Sequence, residues 1–175
     1  MESPPAPTAF GPELAALLPR LRRFGRLLTG HAQDADDLVQ LALERAWQHQ
    51  ARWEPGTRLD SWVFRIMQNA WIDEVRARQR QSRVLVSVDH ETLAETGAGP
   101  DSPSPADALA VRQAVSRLSE DHRAAVALVL VEGLSYKEAA DALGVPIGTL
   151  TSRLARAREQ LQNLLSPEEP RPCLS

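Results

Sequence analysis

Apolar residues recur every three or four positions over most of this chain. Leu14, Leu17, Leu18, Leu21, Phe24, Leu27 and Leu28 follow the helical period. Gly30 stands where a helix ends in the left-handed conformation. Asp34 or a neighbour is placed to cap a second helix, with Asp36 and Asp37 near its positive N-terminal end. That helix carries Leu38, Leu41, Ala42, Arg45 and Ala46 and runs to about Gln50. The run Glu54, Pro55, Gly56 breaks it. A long helix then starts at Leu59 or Asp60 and reaches Gln81, with Trp62, Val63, Ile66, Met67, Ala70 and Val75 in register.

The period stops at residues 84–106. Gly, Pro, Ser and Asp dominate the second half of this stretch, which reads as a linker spanning roughly 70 Å when fully extended. Its "VLVSV" run could be a strand, but a lone strand has no partner, so it is read as extended chain. Helical spacing resumes with Leu109, Val111, Val115 and Leu118. Ser119 caps a further helix whose face is Ala125, Val126, Leu128 and Val129, ended by Gly133. The Pro-rich residues 1–11 and the tail 166–175 have no period and are expected to be disordered. The expectation is an all-α chain of two small helical bundles, 12–83 and 107–165, joined by a flexible linker.

Residues 135–159, "SYKEAADALGVPIGTLTSRLARARE", carry the most local information. Ser135 and Glu138 form a capping box. Ala139, Ala140 and Leu143 give a short helix with small residues on its core face, so that another helix can cross closely. Gly144 ends it and Pro146 suits the first turn of the next. Helix, glycine turn, helix is the helix-turn-helix pattern. Leu150, Leu154, Ala157, Leu161, Leu164 and Leu165 are expected to face inward, with Thr149, Ser152, Arg153, Arg156 and Arg158 on other faces. In that motif the second helix enters the major groove, where arginine pairs with guanine and hydroxyls hold phosphates. An ordinary helical hairpin with a solvated arginine face has a similar pattern. The agreement of cap, turn, proline and polar face favours DNA binding.

Composition changes this picture little. The net charge of −3 argues against indiscriminate nucleic-acid binding. The charges are nevertheless sorted: acids cluster at 34–37, bases at 20–26, 76–83 and in the stretch above. No apolar run nears the ~20 residues that span a bilayer, and the N-terminus lacks a secretory pattern. A cytoplasmic location is expected. One cysteine, Cys173, excludes an internal disulfide and a cysteine-based zinc site. His31, His49, His90 and His122 are scattered without metal spacing. There is no phosphate-cradling glycine loop or nucleophile elbow, so catalysis is not expected.

At residues 134–159 the chain resembles the C-terminal DNA-binding domain of extracytoplasmic-function (ECF) sigma factors of bacterial RNA polymerase. "DADDLVQLALERAW" (34–47) resembles the family's core-polymerase-binding helix and "SWVFRIMQNAWIDEVRARQR" (61–80) its −10-reading helix. The resemblance covers about 10–83, a sigma2-like domain, and 107–165, a sigma4-like domain. It implies that Asp37 and Gln40 touch the clamp helices of the polymerase β′ subunit, a fit of acidic helix to basic partner. Leu41 stands in the same contact, where the family often has glutamate. Asn69 and Asp73 match positions at the upstream edge of the −10 element. Arg76, Arg78 and Arg80 would track phosphates. The loop 52–60 falls where the family captures a flipped base. Thr149, Ser152, Arg153 and Arg156 match positions that reach the −35 element, while Thr151 stands where many relatives have arginine.

Housekeeping sigma factors wedge the duplex with a tryptophan pair. Here Val63 follows Trp62, so that pair is absent, and Trp47 and Trp62 are expected in the core. The resemblance implies partners: core RNA polymerase through β′ and β, promoter DNA, and an anti-sigma factor. It implies no cofactor, no metal and no membrane. Two other readings stay open, a free-standing helix-turn-helix repressor and a sigma mimic that titrates an anti-sigma factor.

Overall fold

The computed structural model describes residues 10–54, 56–82 and 104–166, and among them it holds eight α-helices and no strand. The first bundle contains α1 (Phe10–Ala16), α2 (Leu18–Thr29), α3 (Ala32–Gln48) and α4 (Leu59–Ser82). The second contains α5 (Pro105–Ser116), α6 (Glu120–Val126), α7 (Tyr136–Leu143) and α8 (Ile147–Leu165). The "VLVSV" run and Cys173 lie outside the described residues.

The periodic stretch from Leu14 to Leu28 is two helices rather than one. Proline lacks an amide hydrogen and fits only the first turn of a helix, so Pro19 forces a restart at Leu18. Gly30, at φ 78°, closes α2 as its spacing predicts. His31, not Asp34, occupies the cap position of α3; Asp34 instead places a charge in the first turn. Helix α1 begins at Phe10, inside the stretch expected as tail. The Phe10 ring is buried, with its centroid 6.0 Å from Trp47, 5.7 Å from Trp53 and 6.3 Å from Trp62. Phe10 and Leu14 are the buried residues that seat this seven-residue helix on the bundle. Trp47 remains 56% exposed, because Ala46 takes the core position beside it. The expectation of a core Trp47 is thereby corrected, whereas Trp62 is partly buried against the core.

In the second bundle, Ser104 and Ser119 cap α5 and α6 by accepting from the amides of Asp107 and His122. Leu109 and Val111 are exposed, against the periodic reading, while Ala114 and Leu118 are buried. Residues two apart cannot share a helix face, and α5 packs chiefly on α8. Leu164 and Leu165, in the last turn of α8, are exposed as well. Past Val126 the helix widens into a π-turn over Ala127–Val131, closed by the Glu132 amide donating to the Ala127 carbonyl. The extra residue shifts the register of Glu132 and Gly133 relative to α6. Gly133 then turns the chain at φ 71°. The capping box of α7 forms as expected, and Gly144 ends α7 at φ 66°. Pro146 is the cap of α8, one residue ahead of its expected place.

The bundles pack on each other: α4 lies along α7 and α2 against α6, and their buried residues run together in one apolar cluster.

Candidate nucleic-acid interface

Three faces carry the sequence-predicted residues. On α3, Asp37, Gln40 and Leu41 share one face with Glu44, at helical spacing. Asp37 and Gln40 are exposed. Gln33 Nε2 donates to Asp37 Oδ1 at 3.3 Å and Gln40 Nε2 to Glu44 Oε1 at 3.3 Å. Leu41 is half-buried against the core. The result is an acidic, weakly self-bonded ridge with an apolar edge.

On α4, Asn69, Asp73, Arg76 and Arg80 are all exposed and recur at four, three and four. They form one stripe about three turns long. The Asp73 carboxylate lies 3.6 Å from Arg45 Nη1 of α3, an exposed ion pair within the stripe. Arg78 does not join it. Its Nε lies 2.9 Å from Glu74, its Nη1 3.1 Å from Asp34, and its guanidinium covers the Trp71 ring at 5.8 Å. These contacts brace α3 against α4 and leave Arg78 about half exposed.

On α8, Thr149, Ser152, Arg153 and Arg156 fall at three, one and three, on one side of the helix. Leu150, Leu154 and Ala157 take the other side into the core. Ser152 Oγ donates to the Gly148 carbonyl at 2.8 Å, leaving its lone pairs outward. Arg153 Nη2 lies 2.8 Å from Asp121 Oδ2 at the start of α6, so it is held in place yet can be redirected. Arg156 is exposed. A guanidinium pair and two hydroxyls on one convex face match what reads base edges and grips phosphates.

Sequence reasoning missed a fourth feature, the polar network between the bundles. The Asp60 carboxylate at the start of α4 accepts from Arg20 Nη1 at 2.7 Å, Arg58 Nη2 at 2.6 Å and the Ser61 amide at 2.8 Å. Burial alone would raise the Asp60 carboxyl, but these donors, Arg58 foremost, hold it down at about 2. The Glu132 side chain is wholly buried. It accepts from Arg23 Nε at 2.8 Å, Arg23 Nη2 at 2.9 Å and Arg20 Nε at 3.0 Å. Arg20 Nη2 adds a bond to the Glu132 carbonyl at 3.1 Å. Arg58 Nη1 reaches across to Glu138 of the α7 capping box at 2.8 Å. Bonds from Ser135, then from Arg58, hold the Glu138 carboxyl below its ordinary value. Further along the seam, Arg123 Nη1 donates to the Leu28 carbonyl in the last turn of α2 at 3.0 Å. The only sequence signal was Glu132 itself, a lone acid closing the apolar run 124–131.

Two helical bundles with exposed polar faces, the second a helix-turn-helix, fit a DNA-binding protein of transcription. The family models agree. The sigma2 domain of PhyR matches residues 14–68 and sigma-70 region 4 matches residues 108–161. The ECF RNA polymerase sigma factor EcfG of Rhodopseudomonas palustris (strain TIE-1) is 35% identical over 153 residues, which is 87% of this chain and 83% of that protein. The ECF RNA polymerase sigma factor SigE of Mycolicibacterium smegmatis is 36% identical over 152 residues, 84% of this chain and 58% of that protein. Among solved structures, the sigma factor RpoE in complex with the anti-sigma factor NepR from Bartonella quintana has a TM-score of 0.81 and 36% identity. It covers 92% of this chain and 99% of that one. The chain belongs to the ECF RNA polymerase sigma factors.

Proposed function

We propose that this chain is the promoter-specificity subunit that directs core RNA polymerase to −10/−35 promoters of a stress or envelope-type regulon. The observation that carries this reading is the presence, in one chain, of a region 4 helix-turn-helix with an open arginine face and a sigma2 bundle with a separate acidic ridge. The α3 ridge of Asp37, Gln40 and Leu41 docks on the polymerase clamp. The α4 stripe of Asn69, Asp73, Arg76 and Arg80 reads and holds the −10 region. The α8 face of Thr149, Ser152, Arg153 and Arg156 reads the −35 major groove. Two weak sites on one tethered chain gain from effective concentration once polymerase holds them together. The net negative charge keeps the free protein from binding DNA indiscriminately. The chain acts in the cytoplasm, carries no reaction of its own and leaves the chemistry to polymerase. An anti-sigma factor is the expected regulator, as for the RpoE neighbour solved with NepR.

Run-off transcription from fragmented genomic DNA of the source organism, with core polymerase and this protein, tests the reading. New start sites that depend on the protein and share upstream boxes are expected. Arg153→Ala lowers output from such promoters while leaving polymerase binding intact, whereas Asp37→Ala weakens polymerase binding itself. A sequence-specific shift by the protein alone, with no new starts, would sink the sigma reading in favour of a repressor.

A further inference from the structure

We propose that Arg20, Arg23, Arg58, Asp60, Glu132 and Glu138 form a releasable clasp that holds the free chain closed, and that the chain must open to read a promoter. The clasp stands on geometry alone; its consequence for promoters rests on the sigma-factor reading above.

Three observations point to it. The first is size. A compact chain of this length has a radius of gyration of about 15 Å, so it is roughly 40 Å across. Boxes about 25 base pairs apart lie roughly 85 Å apart along B-DNA. With α7 packed on α4, the α8 face and the α4 stripe cannot occupy both boxes together.

The second is chemistry. The Glu132 side chain is wholly buried, and its carboxylate is matched by arginines from the other bundle. A permanent junction of this kind gains little from buried charge, because apolar residues of similar volume do as well or better. A junction that opens does gain. Once parted, Glu132 and the arginines become ordinary solvated ions, where apolar groups would leave a patch prone to association. Along α7 the seam is lined by small residues. The fully buried residues of α7 are only alanines, Ala139, Ala140 and Ala142, so separation uncovers little apolar area there. Arg23 and Arg58 are half-exposed and within reach of water and salt.

The third is construction. The π-turn over Ala127–Val131 directly precedes Glu132, and the Glu132 amide closes it. A plain α-turn there would aim residue 132 about 100° away. Such turns concentrate at functional positions. Arg58 closes the loop expected to meet melted DNA, yet here it is bound to Asp60 and Glu138. Closure therefore occupies a cation next to the −10 site.

The test is a distance measurement on the full chain in solution, without polymerase. Spin labels are placed at the exposed positions Gln33 and Asn163, by Gln33→Cys and Asn163→Cys with Cys173→Ser. The unmodified clasp is expected to give one short, narrow distance. Glu132→Gln, Arg23→Gln and Arg58→Gln are each expected to broaden and lengthen it, as is raised salt. Arg23 and Arg58 are half-exposed, so their variants keep the test decisive if Glu132→Gln unfolds, which circular dichroism reports. A long, broad distance in the parent chain, or a short one unchanged in all three folded variants, would overturn the clasp. Run-off at limiting protein supplies the second readout. Glu132→Gln is expected to raise apparent affinity for polymerase about threefold to tenfold, because the open form is no longer a minority; unchanged or weaker affinity in a folded, opened variant overturns the inhibitory role. Silence from every form, the parent included, would refute the sigma reading and leave the distances to decide closure.

Discussion

The two bundles are filled by different means. The first packs Phe24 against Phe64 at 5.0 Å between ring centroids, with Leu21, Leu28, Val63 and Met67 around them. The second buries Ala114, Ala124, Ala125, Ala127, Ala139, Ala140, Ala142 and Ala157 beside a few leucines. Large side chains stabilise by the area they remove from water. Small ones stabilise by letting helices approach, so that backbone and neighbouring side chains make the contacts. The first bundle therefore suits a rigid platform. The second suits an element that must seat closely in two settings, on its partner bundle and elsewhere.

Substitutions can break or sharpen that contrast. The largest effect is expected from Phe64→Ala, which leaves a cavity in a fully buried site and costs about 3–5 kcal/mol, read from denaturant unfolding. If it costs less than a change in the alanine core, the contrast is wrong. Next comes Ala140→Leu. A larger side chain at this fully buried position of α7 overpacks the small-residue core and costs about 1–3 kcal/mol, read from denaturant unfolding. Ser135→Ala removes one half of the capping box and costs about 1 kcal/mol, seen as a lower unfolding midpoint.

The smallest effect is expected from pH. The Asp60 carboxyl is held at about 2 in the folded chain, against an ordinary value of ~3.9. A depressed folded value stabilises the fold above the unfolded value, and that contribution disappears as pH falls through the folded one. The seam should therefore hold unchanged from about pH 8 to pH 5 and loosen only as pH drops from ~4 toward about 2. Loss of closure between pH 7 and 6 would show that another group controls it.

Most of the fold is legible in the sequence because it is local. Leucine spacing, the Ser119 and Ser135 caps, and Gly30, Gly133 and Gly144 at helix ends all act within a few residues. The layout of the candidate faces was legible for the same reason: Thr149, Ser152, Arg153 and Arg156 share a side of α8 by spacing alone. What could not be read depends on distant partners. Arg20 and Glu132 are 112 residues apart, and nothing in either neighbourhood announces the other. The π-turn is invisible to a 3.6-residue period, so the direction it gives Glu132 could not be read. Phe10 was hidden because a single aromatic in a Pro-rich stretch has no period. Arg78 looked like Arg76 and Arg80, and only the fold puts Asp34 and Trp71 beside it.

All four tryptophans lie in the first bundle, and the one tyrosine of the chain, Tyr136, lies in the second. Indole fluorescence is thus a private signal of the bundle that carries the acidic ridge and the α4 stripe. Three of those indoles surround Phe10, so the emission also senses whether the short first helix is seated. The helix-turn-helix is nearly dark at the same wavelengths. Tracked beside far-ultraviolet ellipticity, which sums both bundles, tryptophan emission reveals whether the first half melts with the rest of the chain in one unlabelled sample.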